Sequence, residues 1–296
     1  MEQPDILCIG SVLWDVIGRA GVPMRTGMDV PGRITRVPGG VALNIAMTLR
    51  RFGLRPALLS AVGRDAEGEE LLSACRALGL DVEGIYVSDD LPTDRYMAVE
   101  DPTGLIAAIA DAHSLEAVGS RILAPLRNGM FGHEDTPWDR LIALDGNLTE
   151  TLLGQIARSN LLARSDLRLA PASPGKAERL SALLGHRGAT FYVNLEEARR
   201  IAKAQVSDST EAARAMRAAG AARVLVTDGG RSASFADADG VIDIAPPPVM
   251  VTRVTGAGDT FMAAHIAAEL RGEGPADALS TAVRSAAQYV GGGDHS

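Results

Sequence analysis

Close to the end of the chain, Thr255-Gly256-Ala257-Gly258-Asp259 runs straight into an Ala-rich stretch, Thr260 to Leu270, that reads as a helix. Two glycines around a small residue let the backbone approach an anion closely. The free N–H groups of a helix's first turn, together with the positive end of its dipole, favour a phosphate there. A carboxylate is odd inside an anion site unless it does chemistry. In phosphoryl transfer the protein must orient a hydroxyl, accept its proton and neutralise charge on the moving group. Asp259 has the chemistry for the first two tasks and the glycine loop for the third. The plainer alternative is a tight turn in which Asp259 only caps the helix, worth roughly 0.5–2 kcal/mol. The motif by itself does not separate the two.

Other residues carry the same double reading. Asp15 follows an apolar strand and by itself reads as a solvated loop carboxylate, yet a carboxylate accepts hydrogen bonds from two adjacent sugar hydroxyls. Gly39-Gly40 reads as an ordinary turn before a helix, or as a close-approach segment. Asn44 falls inside that helix, where it is unfavourable by propensity and needs a partner if buried; its plain reading is an exposed face. Asn194 and Glu197 have the spacing of a capping box with Asn in place of Ser or Thr. Asp228-Gly229-Gly230 suits a hairpin turn at positive φ. His265 reads as a packed or exposed helix residue and Lys176 as a solvated lysine, a phosphate contact being its alternative. Trp14 and Trp138 read as packing residues, Trp14 being next to Asp15.

These residues need elements to hold them. Residues 6–10 (ending in Gly10), 57–63, 141–145, 167–170, 190–193 and 223–227 are short apolar runs of the kind buried on both faces of a parallel sheet. Between them lie helical stretches at 41–52, 65–78, 149–158, 174–184, 195–204 and 208–219, and 276–289 follows the glycine loop's own helix. Several are closed by Gly or opened by Asp or Thr. Strand and helix in alternation predict βαβ units. The segment 82–110 breaks the rhythm: 96–100 and 105–109 predict a hairpin across Asp101-Pro102-Thr103-Gly104, with a partner in 12–17, as a lid or a dimer surface. The expected organisation is one domain over 1–296, with lid segments about 12–20 and 93–110 inserted in the core.

Composition narrows the function classes. Hydrophobic residues at 46% and charged residues at 22% exclude a disordered chain. Lys plus Arg 29 against Asp plus Glu 37 gives a net charge of −8, which argues against nucleic acid or an anionic membrane as partner. Two Cys make no disulfide framework, and the five His never fall at metal-ligand spacing. With no basic leader and no bilayer-length apolar run, the expected location is the cytoplasm.

Thr255-Gly256-Ala257-Gly258-Asp259-Thr260-Phe261 resembles the C-terminal signature of the ribokinase-like (PfkB) carbohydrate and nucleoside kinases. Further landmarks of that family stand in order along the chain. They are Gly10-Ser11-Val12-Leu13-Trp14-Asp15, Pro38-Gly39-Gly40-Val41-Ala42-Leu43-Asn44, Gly63-Arg64-Asp65-Ala66-Glu67-Gly68, Asn194-Leu195-Glu196-Glu197 and Thr227-Asp228-Gly229-Gly230. The resemblance implies an α/β fold, a Rossmann-like parallel-sheet core with helices on both faces plus a small β-sheet lid. It implies Asp259 as catalytic base and Gly256, Ala257 and Gly258 as the anion hole. Asp15, Gly39, Gly40 and Asn44 would hold sugar hydroxyls. Asn194, Thr227, Gly229, Gly256 and Gly258 would line ATP, and Glu197 would act on Mg²⁺ through water. Ser232 stands where the family often has another Gly.

Finer features resemble the pseudouridine kinase branch of the family. Arg253 stands where many members have the Asp of a monovalent-cation loop, which argues against a K⁺ requirement. Thr103 to Asp111, Leu144-Asp145-Gly146-Asn147-Leu148 and Pro171-Ala172-Ser173 with Lys176 resemble segments of that branch, although Ala170 replaces its Asp. The resemblance implies ATP-dependent phosphorylation of the 5′-hydroxyl of pseudouridine, with Asp111 and Asn147 contacting base or ribose, and allows a homodimer through the lid. The alternatives are a ribokinase- or adenosine-kinase-type enzyme, a non-catalytic sensor of the same fold, and a dinucleotide enzyme. The last is disfavoured because Gly10-Ser11-Val12 lacks the full glycine fingerprint.

Overall fold

The computed structural model describes residues 3–252 and 256–293. Arg253 and Thr255, which carry the cation-loop reading and the start of the glycine loop, lie outside them. From the N-terminus the chain forms β1 (Ile6–Ile9), β2 (Leu13–Ala20), β3 (Gly32–Gly39), α1 (Val41–Arg51), β4 (Pro56–Leu59), β5 (Ala61–Gly63) and α2 (Ala66–Ala77). It continues through β6 (Tyr86–Ser88), β7 (Arg95–Asp101), β8 (Gly104–Asp111), α3 (His113–Val118), β9 (Leu141–Asp145), α4 (Glu150–Arg158) and β10 (Asp166–Ala170). Then follow β11 (Ala189–Asn194), α5 (Leu195–Ala202), α6 (Ser209–Ala218), β12 (Arg223–Thr227), β13 (Ala233–Ala236), β14 (Val241–Ile244), α7 (Ala257–Leu270) and α8 (Pro275–Val290).

The large sheet has the order β14-β13-β12-β11-β10-β9-β1-β4. The six strands from β12 to β4 pair in parallel, and β13 and β14 add an antiparallel edge. Successive strand residues point to opposite faces, so each apolar run feeds two cores. Leu7 and Ile9 pack on one face with Leu144, Leu169, Phe191, Leu153 and Ile201. Ile6 and Cys8 pack on the other with Ala143, Leu225, Leu43, Phe261 and Leu279. Each large side chain fully buried this way contributes about 1.5–3 kcal/mol. The consequence for function is that the C-terminal ends of β1, β9, β10, β11 and β12 emerge side by side on one rim.

A second sheet, β3-β2-β7-β8, stands apart from the first. β2 runs parallel to β7 and antiparallel to β3, and β7 and β8 form the expected hairpin. Asp101 opens its turn by accepting from Thr103 N at 2.7 Å. β3 was not foreseen: it is largely exposed, and Gly32 and Pro38 interrupt any apolar period. The run 57–63, read as one strand, is two. β4 stays in the large sheet, whereas β5 leaves it to pair with β6. Both pieces are buried, so burial pattern alone gives no sign of the break. Residues 174–183 form tighter 3₁₀ turns rather than an α-helix.

Polar side chains fix the root of the second sheet. Asp65 caps α2 through Gly68 N at 2.7 Å and also accepts from Thr93 N at 2.8 Å, just before β7. Buried Asp94 accepts from Ser114 N and Leu115 N, both at 2.9 Å, at the start of α3. Among the described residues no helix is long and apolar enough to cross a membrane.

Gly40, the residue before α1, has φ 101° and ψ 144°, a backbone region essentially confined to glycine. A Cβ there would lie 2.5 Å from Ser11 O. Gly40→Ala is expected to cost about 1–3 kcal/mol and to lower the thermal unfolding midpoint. An unchanged midpoint by calorimetry would contradict this account of the turn.

Candidate active site

Asp259 stands in the first turn of α7. Gly256, the residue before the helix, has φ 88°, and a Cβ there would meet Tyr289 Oη at 2.6 Å. Thr260 fastens the loop, its hydroxyl donating to Gly256 O at 2.9 Å. Among the described residues no side chain caps this helix. The first-turn amides at Ala257 and Gly258 therefore offer an anion site of the kind helix N-termini provide.

Three other carboxylates come close enough to repel Asp259: Asp145, Asp15 and Glu197. They arrive from the end of β9, from β2 and from the first turn of α5. Asp259 keeps partial exposure as a residue, while its carboxyl group is hemmed in by protein. Burial first, then repulsion by Asp145, Asp15 and Glu197, raises its pKa from 3.8 to about 7. That difference is worth at most roughly 4 kcal/mol. The favourable pull of a helix N-terminus, about 0.3–1 kcal/mol, is too small to reverse it. Burial likewise raises Asp15 to about 6 and pushes Glu197 upward.

The Asp15 carboxylate rests directly over Gly39, where a Cβ would come within 2.0 Å of Oδ2. Gly39 is thus needed for close approach, and it ends β3 just before α1. Asn44 is half-buried in the second turn of α1, its N–H bonded to Gly40 O at 2.8 Å. On the neighbouring strand ends, Asn194 and Thr227 face each other in register. Asn194 and Glu197 form the capping box expected of them: Glu197 N donates to Asn194 Oδ1 at 2.9 Å, and Asn194 N to Glu197 Oε2 at 2.8 Å. Gly229, at φ 57°, lies exposed in the β12–β13 turn, where Arg231 pairs with Asp228.

Asn147 accompanies Asp145. Its N–H donates to Asp145 Oδ1 at 2.7 Å and its side-chain amide to Ser11 Oγ at 3.1 Å. Asp111 is placed differently, on the exposed end of β8, where its carboxylate meets His113 Nδ1 at 2.7 Å. His265 is packed, as its sequence context suggested. It bonds Tyr192 Oη at 2.9 Å, and burial lowers its pKa to about 4. Trp14 is also packed, its indole N–H reaching Glu67 O at 3.0 Å. Three residues escaped the reading of the sequence. Ser11, Asp145 and Lys176 were visible only as parts of longer segments, and Lys176 by itself read first as a solvated lysine. Lys176 is instead half-buried and bound to Asn147.

The described residues contain no group of three or more His, Cys, Asp or Glu set to hold a metal ion. They do fit a metal held mostly by water and phosphate, the usual mode for Mg²⁺. Glu197 offers a buried carboxylate beside the mutually repelling Asp259, and α7 offers the phosphate site.

The start of α7, with no side-chain cap among the described residues, and the carboxyl of Asp259 thus lie near Asp15 of the smaller sheet, in a structure of ribokinase-like fold. The pattern of the pfkB family carbohydrate kinases matches residues 3–294, and the chain belongs to that family. It is 29% identical to the pseudouridine kinase of Escherichia coli strain K12 over 266 residues, covering 88% of this chain and 82% of that one. It superposes on a carbohydrate kinase from Agrobacterium tumefaciens with a TM-score of 0.79 at 26% identity, over 96% of this chain and 90% of that one. A ribokinase of Arabidopsis thaliana complexed with ribose and ATP has the same fold, with a TM-score of 0.77 at 18% identity over 98% and 93% of the two chains.

A carboxyl whose folded-state pKa is raised holds its proton more tightly in the folded protein than in the unfolded chain. Its favourable contribution is complete below pH 3.8 and is lost as pH rises through about 7. In metal-free buffer, Asp259→Asn is therefore expected to raise the melting temperature by a few degrees at pH 8 and to leave it unchanged near pH 3.5. A variant less stable than the wild type at pH 8 would contradict the crowding of negative charge.

Proposed function

We propose that this kinase transfers the γ-phosphoryl group of ATP to the 5′-hydroxyl of a nucleoside, pseudouridine being the best candidate. The observation that carries the reading is the carboxyl of Asp259, raised to about 7, close to Asp15 and beside a helix N-terminus that no described side chain caps. A base with a pKa near the working pH combines a large deprotonated fraction with useful proton affinity. The similarity to the E. coli pseudouridine kinase supports the choice of acceptor.

In this reading Asp15, Gly39, Gly40 and Asn44 hold the sugar hydroxyls, and Asn147 and Asp111 face the base or ribose as the second sheet closes. Asp259 Oδ accepts the proton of the attacking 5′-hydroxyl. The amides of Gly256, Ala257 and Gly258 stabilise charge on the transferring group, where fixed donors need no reorganisation. Asn194, Thr227 and Gly229 line the nucleotide. Kinases of this family use ATP with Mg²⁺; such an ion would screen the phosphates, and Glu197 would hold it through water. A K⁺ requirement is not part of the reading. Cytoplasmic location fits the buried, unpaired thiols of Cys8 and Cys75. A lid-mediated homodimer is supported by the exposed Ile34, Met97, Leu105 and Ile109 on the lid strands.

The test is ATP consumption by the purified protein across a panel of pseudouridine, uridine, adenosine, guanosine and ribose. The expected outcome is a kcat/KM for pseudouridine at least about tenfold above every other acceptor, a preference worth about 1.4 kcal/mol. Rapid turnover of ribose or adenosine with none of pseudouridine would retire the acceptor while leaving the kinase.

A further inference from the structure

The structure assigns to Lys176 a role no sequence motif gave it: we propose that it is a positioning residue, fixing the polarity of a hydrogen-bond chain that holds the N-terminus of α1 in the acceptor cleft. Lys176 Nζ lies 2.7 Å from Asn147 Oδ1. The side-chain nitrogen of Asn147 lies 3.1 Å from Ser11 Oγ and 3.3 Å from Asp145 Oδ2. Ser11 Oγ donates to Asp145 Oδ2 and accepts from Val41 N at 2.9 Å, the first amide of α1. Ser11 N also donates to Asp145 Oδ2, at 2.7 Å.

An ammonium group has donors and no acceptor. Asn147 must therefore turn its oxygen to Lys176 and its NH₂ inward. The inward NH₂ meets two acceptors, and the Ser11 hydroxyl then has one assignment left: its proton goes to Asp145 and its lone pairs receive Asn147 and Val41. Ser11 and Asp145 are buried, at 2% and 0% exposure, so an unmatched donor or acceptor here carries the full cost of desolvation. Without the ammonium group, Asn147 Oδ1 loses its donor, and the amide is held only by the longer bonds of its NH₂ to Ser11 Oγ and Asp145 Oδ2. The disturbance would travel through Ser11 to Val41 and so to Gly40 and Asn44. The backbone of the Asn147 loop has its own anchor. Arg179 Nη1 donates to Asn147 O at 3.1 Å and pairs with Glu116 at 3.1 Å. Replacing Lys176 thus perturbs side-chain polarity and leaves the loop in place.

Two readouts test this, of which only the first rests on the kinase reading. With the best acceptor found for the wild type, Lys176→Met should raise the acceptor KM roughly ten- to hundredfold, as for loss of one charge-assisted hydrogen bond. The KM for ATP should stay within about twofold, and Lys176→Arg, which keeps a cationic donor, should restore most of the loss. Independently of turnover, hydrogen–deuterium exchange in the intact protein should accelerate over residues 39–44 in Lys176→Met and return towards the wild-type rate in Lys176→Arg. A rise confined to the KM for ATP would mean that Lys176 serves the phosphates and would overturn the inference. So would an unchanged acceptor KM, or unchanged exchange over 39–44. If the wild type turns over no acceptor at all, the kinase reading fails while the exchange result still decides the role of Lys176.

Discussion

Negative charge crowded at the open end of α7 is the constraint around which the rest of the structure is arranged. Asp259, Asp145, Asp15 and Glu197 come from four separate elements, and each of the last three raises the cost of ionising the first. Folding gains nothing from this arrangement at neutral pH. It is sustained by the apolar packing on both sheet faces, where buried side chains such as Leu7, Ile9, Leu43 and Phe191 hold the strands and helices that present these groups. Local destabilisation of this kind is common where a protein holds groups for chemistry rather than for stability.

The architecture explains why these groups meet. Parallel strands deliver their C-terminal ends to one rim, so residues just after β1, β9, β11 and β12 become neighbours although they lie far apart in sequence. Ser11 and Asp145 are 134 residues apart and directly hydrogen-bonded. The second sheet adds Asp15 from above, and Gly39 lets that carboxylate lie flat on the backbone. The two sheets are joined by polar anchors at Asp65, Thr93 and Asp94. The smaller sheet is held to the large one by these bonds and by the packing of Trp14 of β2 into the core.

Much of this was legible in the residues. Continuous apolar runs marked the buried strands because a parallel sheet covered on both faces demands them. The glycine loop, the Asn194–Glu197 box and the β7–β8 turn have local causes, so local sequence reports them. What escaped has non-local causes. β3 packs little of itself, and its assignment depends on pairing with β2. The break between β4 and β5 is set by β6, some 25 residues further along. Lys176 looked solvated because nothing near it in sequence shows that Asn147 lies 2.7 Å from its ammonium group. The contact between the Asp111 carboxylate and His113 on the exposed end of β8 was likewise not read from the sequence.

The account stands on Asp259 acting as the proton acceptor rather than as a helix cap, and replacing that one carboxyl by its amide isolates the role. Single-turnover phosphorylation and calorimetric acceptor binding should be measured side by side for the wild type and Asp259→Asn. The account predicts a rate lower by about 10²–10⁴-fold, with acceptor affinity retained within a few-fold. A variant that phosphorylates at the wild-type rate would show that this carboxyl does not take the proton, and the reading of the site would fall with it.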